Sequence, residues 1–569
     1  MLVKTNHIVL FLYLLIVLQF SCSNGKTEAK KNEVLAEINN LSLTVEQYQN
    51  AYEYWYRKTG YVLEPNSTNR LSVLENEFNK LVLAQVAIDR GYNQLDDVKF
   101  EEQLIERQFI IDLFQKEFIE NKMVVSEKDI REAFIMVNTR FNASHLFAKN
   151  YEDAIELKNR LQKGETFESL AKEVFKTPYL ANNGGDVGDF GFDEMDIAFE
   201  LAAYGAKLDS VVGPVKTAQG YSLIKVSSRY TKPIITENEY NTVKSNLEVI
   251  TRRRLSELAK RSFTENFSNK FVINADLLNQ LWSSVNKNIV SNREENGKRQ
   301  SIIQLANQYK DNVIGTFNNK PFMADQILME LYFSPNTTID RINDINSFKN
   351  MIAGLSLRVY QIQKVESAEL LITEDIQERI NYSKLMNLNE VLITNLENEI
   401  TIPEYDCFDY YNNNKSFFEK PLEFDFIKIV TESKEKAQIV RDELIKGTMN
   451  VGSLISKYSI DKESMLNDGR TGLLPINELG TMALKLNKLK IGQVSEIIIR
   501  EDNEFHVYKC LVRNEPRMLS YEESRKTVEN MLKKQNLEIK KAKIISDAKK
   551  MHRAKIYNEK VQTIDLKLN

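Results

Sequence analysis

Glycine, proline, cysteine and histidine are all scarce: the chain of 569 residues contains 20, 10, 3 and 4 of them. Because glycine and proline interrupt regular structure, their scarcity favours long helices over an all-β architecture. So few histidines and cysteines, with no Cys/His spacing typical of metal ligands, argue against a metal site. The glycine-rich motifs that cradle phosphates or dinucleotides are missing as well. We therefore expect neither a metal nor another cofactor.

A strong charge of either sign is also missing. The 76 lysines and arginines nearly balance the 80 aspartates and glutamates, which leaves a formal charge of −4. Nucleic-acid binding normally requires a basic face, so this class of partner is not expected. The 42% of hydrophobic and 27% of charged residues are ordinary for folded soluble domains, and the length allows several of them.

Long apolar runs are missing apart from residues 8–20, which follow a lysine. A helix that spans a bilayer needs about 20 residues. This run of 13 is shorter and is typical of a secretory signal. Ser21 and Cys22 follow directly and resemble a bacterial lipobox. We expect a signal peptide over residues 1–21, a lipid on Cys22 and a polar tether over residues 22–33. An ordinary signal peptide with an incidental cysteine is the alternative.

A single acyl chain holds a protein at a membrane only marginally, so stable anchoring takes more than one. The anchor of a bacterial lipoprotein would supply this. We therefore expect a membrane-anchored lipoprotein with its folded body in the periplasm, and we favour the outer membrane. The remaining cysteines, Cys407 and Cys510, could meet in an oxidising compartment, but we expect two free, buried thiols.

Residues 143–226 carry the most specific pattern of the chain. The motifs are ASHLF at 143–147, NGGDVG at 183–188 and GPVKTAQGYSLIKV at 213–226. In order, spacing and turn chemistry this block resembles the parvulin-type peptidyl-prolyl cis-trans isomerases, the PpiC or rotamase family. With its secretory start and helical flanks, the chain resembles periplasmic folding factors of the SurA and PpiD type.

The chain also contains an internal repeat. Three segments of the first half recur in the same order in the second half: 34–40 with 313–319, 160–164 with 443–447, and 221–225 with 505–509. The first pair alternates like a strand and ends in an Asn-Asn turn signal. Chance similarity between helix–strand units is the alternative, but three matches in one order favour a duplicated unit.

The repeat and the resemblance together predict the fold class. We expect an α+β multidomain protein in which helical chaperone-like regions and two parvulin-like α+β domains form a duplicated arrangement. The expected parts are a helical region at 34–138, a parvulin domain at 140–230, a helical return segment at 236–285, a linker at 286–299, a second helical region at 300–420, a degenerate parvulin-like domain at 424–514 and a C-terminal helical segment at 517–569. The resemblance implies that each return segment packs onto the N-terminal helices.

The chemistry implied by the resemblance is rotation about an X–Pro bond. Its uncatalysed barrier is about 18–20 kcal/mol, and no bond breaks, so the site needs neither a nucleophile nor a metal. The resemblance places the proline-binding walls on Met195 and Phe199, and the polar floor and a further substrate contact on His145, Thr177, Thr217, Ser222 and Gln219. Ordinary helix core for the walls and a buried structural role for the histidine are the alternatives.

Two of the four floor positions depart from the family. Thr177 stands where the family has Cys or Asp, and Ser222 stands where it has a second His; both hydroxyls can still form hydrogen bonds. In the second copy His506 occupies the second-His position, but Lys428 or a neighbour replaces the first His. An ungapped comparison places Asn477 and Thr481 at the two wall positions. We therefore predict isomerase activity, if any, in the first parvulin domain only.

The function that follows is a membrane-anchored, periplasmic peptidyl-prolyl isomerase and chaperone. Its partners would be unfolded or extended exported polypeptides that contain proline, with outer-membrane proteins among them. Two alternatives remain open. One is a non-catalytic holdase that binds many unfolded chains weakly, and the other is a scaffold lipoprotein that binds one folded partner stoichiometrically.

Overall fold

The computed structural model describes residues 32–58, 64–233, 236–290, 295–461, 467–500 and 504–566. The predicted signal peptide, the predicted lipid site at Cys22 and most of the predicted tether lie outside these ranges. Within them, no helix combines the length and the apolar character that crossing a membrane requires.

The described chain alternates helices with short strands. In chain order the elements of its first half are β1 (Val34–Ile38), β2 (Leu41–Thr44), α1 (Val45–Lys58), α2 (Ser67–Asp89), α3 (Asp96–Phe114), α4 (Glu127–Val137), β3 (Thr139–Ala148), α5 (Tyr151–Gln162), α6 (Phe167–Val174), α7 (Pro178–Asn182), β4 (Asp186–Phe190), α8 (Ile197–Gly205), β5 (Val211–Lys216), β6 (Tyr221–Thr231), α9 (Glu237–Lys270), β7 (Val272–Ile273) and α10 (Ala275–Val285).

The second half continues in the same style. Its elements are α11 (Glu295–Gln308), β8 (Val313–Phe317), β9 (Lys320–Met323), α12 (Ala324–Tyr332), α13 (Asn336–Ile339), α14 (Ile345–Ser367), α15 (Glu374–Asn398), α16 (Glu404–Asn413), β10 (Glu419–Lys420), β11 (Glu423–Thr431), α17 (Lys434–Lys446), α18 (Val451–Tyr458), β12 (Leu474–Pro475), α19 (Ala483–Leu486), β13 (Ile498–Ile499), β14 (Phe505–Asn514), β15 (Arg517–Met518), α20 (Tyr521–Met551) and β16 (Lys555–Ile556).

Two compact units make up the chain. The first contains residues 1–123, 259–403 and 529–569, and the second contains residues 124–258 and 404–528. Each unit therefore combines segments from both halves of the sequence. Most of each predicted helical region belongs to the first unit, whereas residues 124–138 and 404–420 lie in the second unit together with the predicted parvulin domains.

The first unit contains two three-stranded antiparallel sheets, in the orders β16-β1-β2 and β7-β8-β9. The hairpins turn at Asn39 and at Asn318 and Asn319, whose φ angles are 48°, 49° and 63°. Asparagine tolerates this left-handed conformation because its short side chain forms local hydrogen bonds. Thr44 and Gln47 form the capping box that their spacing predicts, with bonds of 2.9 and 3.4 Å.

The third strand of each of these sheets comes from a distant part of the sequence. Ile556 of β16 pairs with Ala36 of β1, and Val272 of β7 pairs with Thr316 of β8. The predicted return segment of the first half thus supplies the third strand for the hairpin of the second half. The C-terminal segment supplies the third strand for the hairpin of the first half. The exchange adds to the packing onto N-terminal helices that the resemblance implies, since Phe263 of α9 lies against Phe114 of α3 and Leu537 of α20 packs with Leu83 of α2.

Long helices form the rest of the first unit. α15 packs along α2 and α3, and α14 packs against α3. One apolar cluster joins Leu83 and Ala87 of α2 to Leu392 of α15. Burying a leucine side chain contributes about 1.5–3 kcal/mol, so such clusters hold the helices together. The segment expected as a linker, 286–299, is helical at both of its described ends, and its Ile289 is fully buried.

The second unit contains a four-stranded antiparallel sheet in the order β4-β3-β6-β5. On one face, Leu157 of α5 and Leu170 of α6 pack against Leu146 and Leu223. On the other face, Phe199 of α8 packs against the sheet. This is the small antiparallel sheet flanked by helices that the sequence predicts.

A further sheet of the second unit has the corresponding strand order, β12-β11-β14-β13. Val440 of α17 and Leu454 of α18 cover one face, and Leu479 and Leu486 cover the other. Residues 424–514 therefore contain a sheet with the same strand order as residues 140–230 and with helices on both faces.

Candidate active site

His145 lies in the middle of β3, opposite Ile224 of β6. Because strand residues alternate, its neighbour Leu146 faces α5 and α6, whereas His145 faces α8. The N–H of His145 donates to the carbonyl of Gly185 at 2.9 Å. Gly185 has a φ of 75°, and a Cβ there would collide with the carbonyl oxygen of His145. The Gly-Gly turn of the NGGDVG motif is thus required for this close approach.

The imidazole of His145 is held in a small, largely apolar site. Its Nδ1 lies 3.4 Å from the hydroxyl oxygen of Ser222. The rings of Phe175 and Phe199 lie 5.2 and 5.6 Å from it between centroids. Burial lowers the pKa of His145 to about 4, so the imidazole is neutral at pH 7. A neutral imidazole offers one donor and one acceptor to an amide.

One of the two predicted wall residues, Phe199, lies beside this histidine. Phe199 is 3% exposed and packs edge-on against Phe190 as well as against His145. Met195 is partly buried and packs against the apolar cluster that contains Phe199. The structure therefore brings His145 together with Ser222 and Phe199, and it places Met195 in the same cluster as Phe199.

Three other predicted site residues lie apart from the imidazole. Thr177 is exposed, on the bend before α7, and Gln219 is exposed in the turn between β5 and β6. The hydroxyl of Thr217 donates to the carbonyl of Gly220 at 3.0 Å and so holds that turn. Among the described residues, no hydrogen bond joins these three side chains to His145. Their roles stay predictions.

The sequence reading missed Phe175 and Glu200. Phe175 directly follows the last residue of α6, at a position where the apolar pattern of the helix had ended. Glu200 was visible as the one charged residue in the apolar stretch from Ile197 to Tyr204. It is 1% exposed, and its carboxylate accepts a hydrogen bond from the N–H of Met195.

The corresponding region of the second sheet carries different groups. Lys428 has the strand position of His145, since its N–H donates to the carbonyl of Gly469 at 2.7 Å. Its ammonium pairs with Asp461 at 2.7 Å. His506 is 1% exposed and lies 3.3 Å from the Tyr508 hydroxyl and 3.0 Å from Glu504. Burial lowers the pKa of His506, although Glu504 acts in the opposite direction.

The ungapped comparison for the second copy is wrong about the wall residues. Asn477 and Thr481 are exposed, whereas Leu479 is 6% exposed and packs with Met482 in the apolar cluster beneath the sheet. The reason is Gly480, whose φ of 53° breaks the helical path and shifts the side chains that face the sheet. Apolar residues therefore cover this face in both sheets.

The first of these sheets and the residues around it are similar in sequence to known proteins. Residues 135–228 match the PPIC-type PPIASE domain of the rotamase family. Foldase protein PrsA of Geobacillus kaustophilus is 30% identical over 223 residues, which are 38% of this chain and 76% of that protein. Foldase protein PrsA of Caldanaerobacter subterraneus is 27% identical over 302 residues, 46% of this chain and 96% of that protein.

Solved structures include the peptidylprolyl isomerase PrsA from Bacillus anthracis. It is 24% identical, with a TM-score of 0.21, and the match covers 38% of this chain and 94% of that one. The sequence match to the Geobacillus foldase spans 76% of its length, and the match to the PPIC-type domain contains the sheet that carries His145. The chain therefore belongs to the PrsA-like foldases that contain a PpiC-type parvulin domain.

Proposed function

We propose that this chain is a peptidyl-prolyl cis-trans isomerase and chaperone that acts on unfolded, exported polypeptides. The observation that carries the proposal is the neutral His145, bonded to Ser222 and edge-on to the ring of Phe199, inside the segment that matches the PPIC-type domain. Met195 packs in the same apolar cluster as Phe199. Members of this family are named as prolyl isomerases, and the imidazole, the hydroxyl and the apolar rings at this site are the kinds of group that rotation about an X–Pro bond requires.

The proposed site works by preferential binding of the twisted amide. Rotation about an X–Pro bond removes amide resonance, so the nitrogen becomes a better acceptor and the proline ring moves relative to the carbonyl. The apolar walls Met195 and Phe199 would hold the ring, and the His145–Ser222 pair would bond to the rotating amide. Binding this state more tightly than either planar isomer accelerates exchange. The exposed Thr177 and Gln219, and the turn held by Thr217, are proposed as contacts of the flanking peptide.

We propose that catalysis is confined to the first sheet. At the position of His145 the second sheet has Lys428, which is paired with Asp461. A charged, paired lysine is a poor substitute for a neutral imidazole in this chemistry. Residues 424–514 would then be a duplicated parvulin-like domain that binds clients or serves the structure. The corresponding strand orders of the two sheets support this duplication.

We also propose that the protein is a periplasmic lipoprotein, anchored at the outer membrane through Cys22. The apolar run at residues 8–20 and the Ser21-Cys22 pair that follows it support this placement. Mass spectrometry of the membrane fraction would detect a diacylglyceryl group on the peptide that begins at Cys22. A soluble protein that starts at another residue would contradict the anchor.

The activity is tested by NMR exchange on an Ala-Pro peptide with residues 23–569. We expect accelerated cis/trans exchange, a loss of at least about tenfold in His145→Ala and Met195→Ala, and little change in His506→Ala. The His506 variant is the matched control, because it removes a buried imidazole from the second sheet, at the position that Ser222 has in the first. No acceleration by the unaltered chain would overturn the isomerase proposal.

A non-catalytic holdase is the second candidate. It is favoured by Thr177 and Thr217, whose side chains form no hydrogen bond with His145 among the described residues. If the chain suppresses aggregation of an unfolded client but accelerates no exchange, the holdase explains it. If it accelerates exchange and His145→Ala still suppresses aggregation, both activities are present and separable.

A further inference from the structure

A buried ion pair lies directly behind the proposed proline pocket. The carboxylate of Glu200 and the guanidinium of Arg254 approach to 2.7 Å, and their side chains are 2% and 7% exposed. Glu200 follows the wall residue Phe199 on α8, and Arg254 lies on α9. Charged groups are costly to remove from water, and they are rarely buried this completely unless they are paired. A charged pair buried this completely next to a wall of the pocket is therefore unusual.

The same carboxylate holds the backbone of the other wall residue. Glu200 Oε1 accepts a hydrogen bond of 2.8 Å from the N–H of Met195, while its Oε2 faces Arg254. Met195 lies in the turn that precedes α8, where the N–H groups lack helical partners. Its position therefore depends on Glu200 rather than on regular secondary structure.

Arg254 is in turn fixed against the beginning of this turn. Its Nη1 lies 3.2 Å from Asp193 Oδ1, and its guanidinium carbon lies 4.2 Å from the ring centroid of Phe192. Asp193 has a φ of 66°, so the chain reverses sharply just before Met195. Arg254 thus holds residues 192 and 193, and Glu200 holds residue 195.

We propose that Glu200 and Arg254 are positioning residues that set where Met195 and Phe199 stand in the prolyl-peptide site. The inference rests on the proposed isomerase function of that site. A pocket selects the twisted amide only if its walls are held to a fraction of an ångström, since small misplacements weaken transition-state binding. The pair acts through Met195 and the start of α8 rather than by touching the peptide.

The test uses the full chain and an Ala-Pro peptide. Glu200→Leu removes the bond to Met195 and one of the two carboxylates that pair with Arg254. Glu200→Gln keeps an oxygen for the N–H of Met195 but removes the negative charge. Arg253→Ala is the matched control. Arg253 lies next to Arg254 on α9 and also pairs with Asp193, but its side chain is 57% exposed.

We expect Glu200→Leu to raise the peptide Kd and to lower kcat/KM by about tenfold. Glu200→Gln should change both by about threefold or less, and Arg253→Ala should leave both unchanged. The decisive readout is the ¹³C-methyl signal of Met195, assigned by its loss in Met195→Leu. This signal should shift in Glu200→Leu and stay in place in Arg253→Ala.

A purely structural role predicts a different pattern. In that case the melting temperature of Glu200→Leu falls, but the folded protein keeps the Kd and the Met195 methyl signal of the unaltered chain, which would overturn the proposal. If Glu200→Leu does not fold, the double variant Glu200→Leu with Arg254→Met takes its place. This pair leaves no charge unpaired between the two positions, and an unchanged Kd and methyl signal would overturn the proposal equally.

Different results would contradict the positioning role and the proposed isomerase function. An unaltered chain without isomerase activity overturns the proposed function. A Met195 methyl signal that does not respond to Glu200 overturns the positioning role, whether or not the chain is active.

Discussion

The buried, neutral state of His145 makes the stability of the first parvulin sheet depend on pH. The pKa of His145 is lowered to about 4 by burial, whereas a histidine in an unfolded chain titrates near 6.5. Below pH 6.5 the unfolded state therefore binds a proton that the folded state does not. The sheet should lose stability as the pH falls from 6.5 towards 4, and the contribution of His145 should be constant above that range.

The magnitude follows from these two pKa values. Between pH 7 and pH 5 the difference in proton binding amounts to roughly 1.8 kcal/mol, or about 20-fold in the opening equilibrium of the sheet. The change is assayed by hydrogen exchange of the peptides that cover residues 139–148 and 221–231, corrected for the intrinsic effect of pH on exchange. A local assay is appropriate because a chain of several domains does not unfold in one step.

His145→Gln is the control, since glutamine is polar but does not titrate. The variant should lose most of the additional protection change between pH 7 and pH 5 that the unaltered chain shows. If the variant and the unaltered chain show the same pH dependence, the imidazole is not buried in its neutral form. The assignment of a neutral His145 to the site would then be refuted.

Three further predictions concern single residues. Gly185→Ala should destabilise the first parvulin sheet by more than about 2 kcal/mol, because alanine is strained at a φ of 75° and its Cβ collides with His145; Gly205→Ala, with open space around it, is the control in the same exchange assay. Lys428→Met should destabilise the second sheet by about 1–2 kcal/mol, since it removes the ammonium that pairs with the partly buried Asp461; unchanged exchange of peptides over residues 423–431 would contradict this. Cys510 is fully buried, its thiol is free and burial raises its pKa, so thiol reagents should modify it only after denaturation; rapid modification of the native chain would refute its burial.

Local patterns in the sequence predicted the first parvulin sheet closely. The apolar segment at residues 141–148 is typical of a strand and forms Thr139–Ala148, and the amphipathic segment at 151–163 is typical of a helix and forms Tyr151–Gln162. Both patterns are informative because alternation and helical spacing are properties of neighbouring residues. Gly164, which is a typical residue for the end of a helix, has a φ of 98°. Helices and strands that are determined by the pattern of neighbouring residues could therefore be predicted from the sequence.

The candidate site was predicted in part, for a related reason. His145, Ser222, Met195 and Phe199 were placed by the order of motifs; the fold brings the first two together with Phe199 and places Met195 in the same cluster as Phe199. The pair of Glu200 with Arg254 could not be predicted, because it joins α8 to a residue of α9 that lies far from Glu200 in the sequence. The prediction of wall residues in the second copy was wrong for a similar reason. A single glycine with a positive φ, Gly480, changes which side chains of residues 476–482 face the sheet.

The strand exchange in the first unit shows how far such non-local effects extend. β7 and β16 contain two residues each, too few for any periodicity to reveal them. Their partners were visible as hairpins with Asn-Asn turns, but a hairpin of two short strands is marginal without a third strand or a packed face. Both hairpins receive that third strand from the return segment of the other half. If the halves arose by duplication, the exchanged strands make them interdependent. The start of each half then folds completely only when the end of the other half is present.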